Sequence, residues 1–187
     1  QALGTLATGG DFNTAVGYNA GNAASGGGNT FIGNNIASDQ AAGSPAVANN
    51  VVVGASAFSN GNGMTSAASA NTILGYAAGN LITTGWGNIL VGAATTTANA
   101  NLTTGYGNII IGNNIRAPSA TGGYQLNIGN LLYGTNLNGV GSTLSTGNIG
   151  IGTTTPWAKL SVSAGASATT TIMVGESGLS TSRSQFQ

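Results

Sequence analysis

The chain has 187 residues, 41% of them hydrophobic and only 3% charged, with three acids, three bases, no histidine and no cysteine. A charged fraction so far below the usual level of about 25% excludes disorder driven by net charge, and it leaves no basic stripe for nucleic acid or for an anionic membrane surface. No apolar run approaches the ~18 residues that a transmembrane helix requires.

Residues 1–12 form a lead-in. It opens at Gln1 without a basic-then-apolar leader, so the chain reads as a processed or excised piece. From residue 13 one phrase recurs: Asn, three residues, Gly. It appears as "NTAVG" (13–17), "NTFIG" (29–33), "NVVVG" (50–54), "NTILG" (71–75), "NILVG" (88–92), "NIIIG" (108–112), a variant "QLNIG" (125–129) and "NIGIG" (148–152). The closing glycines lie 16, 21, 21, 17, 20, 17 and 23 residues apart. Repetition at this period, with 33 glycines and no helical apolar spacing, predicts an all-β parallel solenoid over residues 13–156, with about eight turns for its eight copies.

Each column of the repeat has a physical reading. Val16, Ile32, Val53, Leu74, Val91, Ile111, Ile128 and Ile151 precede the closing glycine, and Thr14, Thr30, Val51, Thr72, Ile89, Ile109, Leu126 and Ile149 stand two residues earlier. Side chains of a strand alternate with period two, so these two columns share a face, which is assigned to the dry interior. The column between them (Ala15, Phe31, Val52, Ile73, Leu90, Ile110, Asn127, Gly150) then faces outward. Six of its eight members are apolar, so a partner must cover it. Asn13, Asn29, Asn50, Asn71, Asn88, Asn108 and Asn148 are placed in an amide ladder running from turn to turn. Gly17, Gly33, Gly54, Gly75, Gly92, Gly112, Gly129 and Gly152 mark corners that exclude a Cβ. The third residue after each corner (Ala20, Ile36, Ala57, Ala78, Thr95, Ile115, Leu132, Thr155) supplies a second, narrower wall. Loops at 37–49, 59–70, 93–104 and 134–146 take up the variable spacing.

Past Pro156, residues 157–187 differ. "WAKLSVSAG" and "ATTTIMVGES" read as strands at 158–163 and 169–174, either capping the solenoid edge or pairing with the next subunit.

The phrases "NTAVGYNAG" and "NTILGYAAG" resemble the head repeats of trimeric autotransporter adhesins. "YQLNIGNLLYGTN" followed by "GNIGIGTTTPWAKLSV" is similar to a segment of bacteriophage tail fibres that precedes a self-cleaving chaperone domain. The resemblance covers about residues 13–162. It implies a left-handed β-roll, association as a homotrimer and a place on a cell surface or virion. Spacers of up to 23 residues depart from the near-regular adhesin repeat.

Chemistry has few candidates. Without His or Cys there is no Ser-His-Asp or Cys-His site and no zinc site built on those ligands. Asp11, Asp39 and Glu176 are too scattered for a paired-carboxylate site, and "ASDQAAG" lacks the carboxylate density of a calcium loop. The sequence therefore assigns no catalytic residue, no metal and no cofactor. Tyr18, Tyr76, Trp86, Tyr106, Tyr124 and Tyr133 lie in or beside turns, where they either cover coil edges or meet a ligand. Trp86 and Tyr106, in "GWGN" and "GYGN", are the first candidates for contact with a cell-surface glycan. The expected function is that of a stiff structural fibre segment with loops for attachment. A self-assembling filament whose subunits join head to tail by strand exchange is the alternative.

Overall fold

The computed structural model describes residues 11–22, 26–38, 46–59, 64–65, 67–95 and 102–163. All ten strands join one sheet in sequence order: β1 (Thr14–Val16), β2 (Thr30–Ile32), β3 (Val51–Val53), β4 (Thr72–Leu74), β5 (Ile89–Val91), β6 (Ile109–Ile111), β7 (Leu126–Ile128), β8 (Leu132–Thr135), β9 (Asn148–Ile151) and β10 (Leu160–Val162). Strands β1 to β7 pair in parallel, each joined to the next by one pass around the coil, so the chain is a β-solenoid of about six turns. No helix occurs among the described residues.

The repeat alignment is also the physical register. Ala15 pairs with Phe31, Phe31 with Val52, Val52 with Ile73, Ile73 with Leu90, Leu90 with Ile110 and Ile110 with Asn127. Beside this column runs the amide ladder. The Oδ1 of Asn50 accepts from the backbone N–H of Asn71 (3.0 Å) and from its Nδ2 (3.1 Å), and the second Nδ2 proton of Asn71 goes to the Gly85 carbonyl (3.0 Å). The same bonding runs from Asn13 through Asn29 and Asn50, and on to Asn88 and Asn108. Five of these asparagines, Asn29 to Asn108, are buried. Their backbone carbonyls accept from Thr14, Thr30, Val51, Thr72 and Ile89, so every polar group of each rung is paired.

The ladder reverses the expected faces. Asn occupies the first position of the phrase and the middle strand residue the third, so a period of two puts both on one side. Because the asparagines are buried, the interior is lined by Phe31 (0% exposed), Val52, Ile73 and Ile110, packed against Ala20, Ile36, Ala57, Ala78, Ile82 and Leu102 from the other walls. The column assigned to the interior points outward instead: Val16 (57% exposed), Ile32, Leu74, Ile128 and Ile151 are exposed, and Val53, Val91 and Ile111 are half-buried. In the second wall Ala20, Ile36, Ala57 and Ala78 are buried and Ile115 half-buried, while Thr95 and Thr155 are exposed and Leu132 belongs to β8.

Six corner glycines stack as closely as the asparagines. Gly17, Gly33, Gly54, Gly75, Gly92 and Gly112 have φ between 125° and 142°. A Cβ on Gly75 would lie 2.3 Å from the Gly92 carbonyl oxygen, and one on Gly54 would lie 2.3 Å from that of Gly75. Gly129 differs: its φ is 61°, Asn130 follows at 56°, and Leu131 donates to the Ile128 carbonyl (3.1 Å). Two consecutive left-handed residues make a mirror-image turn that sends the chain back as an antiparallel hairpin. Strand β8 therefore lies antiparallel between β7 and β9, and the eighth copy does not stack on the seventh. This is why there are about six turns rather than eight. Gly152 (φ 71°) is not a stacked corner either, and Asn148 leaves the ladder to donate to the Pro156 carbonyl (3.1 Å).

Gln125 closes the ladder in its place. Its Nε2 donates to Asn108 Oδ1 (3.0 Å), but its Oε1 turns back to accept from Ser119 N–H (2.7 Å) and is not offered to a next rung. Of the C-terminal strands, the first is observed as β10, parallel to β9, and the second, at 169–174, lies outside the described residues.

Two substitutions test this account. Asn71→Ala strands the Asn88 amide protons and the Gly85 carbonyl in the interior and is expected to cost about 3–5 kcal/mol in denaturant unfolding, against about 1 kcal/mol for Asn148→Ala. Gly75→Ala is expected to cost at least ~3 kcal/mol, against about 1 kcal/mol for Gly141→Ala, whose φ is 61° and whose Cβ would meet nothing. Equal losses within either pair would refute the stacking argument.

Candidate binding surface

Turning the middle column inward leaves the first and third strand positions as one outer face. Hairpin β7–β8 preserves it, because Leu132 sits opposite Ile128 and Ile151, and Gly134 opposite Leu126 and Ile149. Strand β10 continues it with Leu160 and Val162 beside Ile149 and Ile151. The face thus spans all ten strands, with Gly134 of β8 buried against Leu126, Leu137 and Ile149; it is interspersed with Thr14, Thr30 and Thr72 and carries no charged residue. At the usual strand spacing it is about 43 Å long and ~10 Å wide, a stripe along the rod axis.

A second feature lies where each coil turns into its strand. The residue two before the ladder position follows a column of its own: Gly107 N–H donates to the Trp86 carbonyl, Gly87 N–H to Ser69, Ala70 N–H to Ala48 and Asn49 N–H to Gly27. Trp86 and Tyr106 are therefore vertical neighbours, and their rings stack with centroids 5.1 Å apart and planes 9° from parallel. Tyr124 meets Tyr106 edge-on at 5.2 Å. The glycines between them are the reason the rings fit. A Cβ on Gly123 would lie 2.7 Å from the Tyr106 ring, and one on Gly107 would lie 2.9 Å from that of Tyr124. Of the remaining aromatic candidates, Tyr18 and Tyr76 stand exposed after corner glycines, and Tyr133 donates its hydroxyl proton to Asn130 Oδ1 (3.3 Å).

Sequence reasoning found Trp86 and Tyr106 but missed that Tyr124 completes their cluster. The signal was the recurrence of an aromatic beside glycine ahead of each strand. It also missed Lys159, whose ammonium group donates to the carbonyls of Ser145 (3.3 Å), Thr146 (2.9 Å) and Gly147 (3.0 Å) and so pins the β8–β9 loop to β10.

Among the described residues, little else is shaped for chemistry. Among the described residues no group of three or more His, Cys, Asp or Glu side chains is placed to hold a metal. Asp11 is exposed, and Asp39 and Glu176 lie outside the described residues. A cleft between Ala78, Leu90, Ala94, Ile110 and Ile115 encloses about 30 Å³, room for a water molecule and not for an organic ligand. No family model, no curated protein and no solved structure matches the chain.

Gly123→Val is expected to displace the Tyr106 ring, weakening the near-ultraviolet circular dichroism of the Trp86–Tyr106 pair at a cost of about 1 kcal/mol in stability. An unchanged spectrum would mean that the rings do not depend on that glycine.

Proposed function

We propose that the chain is a non-catalytic structural segment of an extracellular fibre, on a cell surface or a virion, in which copies lie side by side with their outer strand faces against one another. The uncharged aliphatic stripe carries this reading. An exposed apolar patch of several hundred Å² is uncommon on a solitary protein and marks a contact surface. Its shape favours lateral packing, since a stripe parallel to the rod axis is covered by another rod lying alongside. Its two columns suit three copies around an axis, one column facing each neighbour, which agrees with the trimer that the sequence resemblance implies. Stiffness comes from the backbone ladders and the paired amides that tie every coil to the next.

A head-to-tail filament is favoured by a different observation: the two terminal strands of the sheet, β1 and β10, run in the same direction, so one copy's β10 can align with another's β1. Native mass measurement separates the readings. A discrete trimer, converted to folded monomers by Ile32→Asp with Leu74→Asp, is the expected result. Mass that grows with concentration and survives both substitutions supports the filament, and a wild-type monomer overturns lateral association. Ile110→Asp serves as the contrast: it buries a carboxylate in the coil interior and is expected to unfold the chain.

A further inference from the structure

The structure assigns the open face of Trp86 to a stacking site for a neutral pyranose ring, a reading that adds a ligand to the proposed fibre and takes the corner column to be accessible along its side. The indole has one face covered by Tyr106 and is 46% exposed. The next residue down its column is Ser69, set one rung away by the bond from Gly87 N–H to the Ser69 carbonyl, and beyond it come Ala48 and Gly27. Ser69, at the adjacent level, carries only a hydroxymethyl group, far smaller than an indole face. The Trp86–Tyr106 separation of 5.1 Å is close to the strand spacing of about 4.8 Å, so the column holds rings at the pitch of the rungs. At the Ser69 level that sequence of rings stops. A ring from outside, placed against Trp86, would extend the stack by one member over a small hydroxyl-bearing residue.

The chemistry of the surroundings narrows the ligand. A sugar ring offers an apolar C–H face to an indole and hydroxyl groups at its rim. Among the described residues, the acid of this column, Asp11, lies four rungs below Trp86, ~19 Å at that spacing and outside a Debye length of about 8 Å at physiological salt. Lys159 is engaged with three carbonyls, and Arg116 follows β6 beyond its corner glycine. Among the described residues, therefore, no unengaged cation is placed in the Trp86 column to meet an anionic sugar. A nucleobase would stack equally well, but its phosphates would meet no basic patch. A proline-rich peptide docks in aromatic-lined grooves, whereas the rings here are stacked on one another along the axis and leave a single face.

The chain has two tryptophans, so Trp157→Phe leaves Trp86 as the sole indole reporter. In that background the full-length assembled protein is titrated with oligosaccharides of galactose, of glucose and of N-acetylglucosamine, with a sialylated oligosaccharide and with a proline-rich peptide. A saturable change in Trp86 emission with at least one neutral oligosaccharide is expected. Calorimetry should then show affinity falling at least about tenfold in Trp86→Ala, in line with the loss of one stacking contact. Ser69→Phe, which places the protein's own ring at the vacant level, is expected to abolish binding while the fold remains intact. Binding untouched by Ser69→Phe, a response to the peptide alone, or silence towards every neutral oligosaccharide would each overturn the proposal. So would shielding of Trp86 from a small soluble quencher in the assembled protein, which would make the indole a subunit seam. Native mass is read separately, so failure of the sugar site and failure of the lateral assembly give different results.

Discussion

The asparagine ladder is the constraint on which the rest of the structure depends. An amide side chain has two donors and two acceptor sites, and in the middle rungs all of them are used within the coil stack. Removing such groups from water without partners would cost several kcal/mol per rung. Paired in this way, each asparagine holds the coil after it through its Oδ1, which accepts two bonds from the next rung, and the coil before it through its own backbone N–H and Nδ2. Their burial also sets the parity of every strand: whatever stands two residues on must face inward, and whatever stands one or three residues on must face out.

The ends of the stack show the same logic in reverse. At β7 two interior positions and one corner change together. Gln125 folds its carbonyl back to Ser119, and Asn127 replaces the aliphatic of the interior column. The third change is the hairpin turn at Gly129 and Asn130 in place of a stacked corner. Asn127 is buried yet satisfied, donating to the Arg116 carbonyl and to Asn130 Oδ1 and accepting from the Asn130 N–H. The apolar column is thus closed by a polar side chain with its own partners, a terminal cap of the kind a repeat stack requires. Beyond it, the interior-side positions of β9 and β10 are Gly150 and Ser161, and the Ser161 hydroxyl accepts from the N–H groups of Trp157 and Ala158.

Much of this was legible in the sequence. The spacing of Asn and Gly yields strands β1 to β7, their order and their register, because both residues do work that few others can do, one in the interior and one at a corner. Which face was inside was harder to read, since both faces of the strands are aliphatic and hydrophobicity cannot choose between them. The information was present in the ladder itself: a buried Asn29 or Asn50 determines where Phe31 and Val52 must point. Phe31 and Ile73 lie inside although Val16 and Leu74 are equally apolar. The reversal at Gly129 was hidden because "QLNIG" reads like the other copies until the left-handed Asn130 is taken into account. Trp86 and Tyr106 were legible as turn aromatics at one position of successive copies, whereas their stacking is seen only in the structure, and the contact with Tyr124 depends on the displacement of one position that the seventh copy introduces.

The ladder has a chemical consequence as well as a mechanical one. Asparagine ages in proteins when the backbone nitrogen of the following residue attacks the side-chain carbonyl and closes a five-membered imide, releasing ammonia. After Asn13, Asn29, Asn50, Asn71, Asn88 and Asn108 that nitrogen belongs to Thr, Thr, Val, Thr, Ile and Ile, all β-branched and stiff, and each N–H is held by a carbonyl of the next rung. The side-chain carbonyl, for its part, is fixed by two donors in the next rung and is not free to turn towards its attacker. The amide on which the rod most depends is therefore shielded from spontaneous deamidation at every coil, and the bonds that stiffen the rod also slow its ageing.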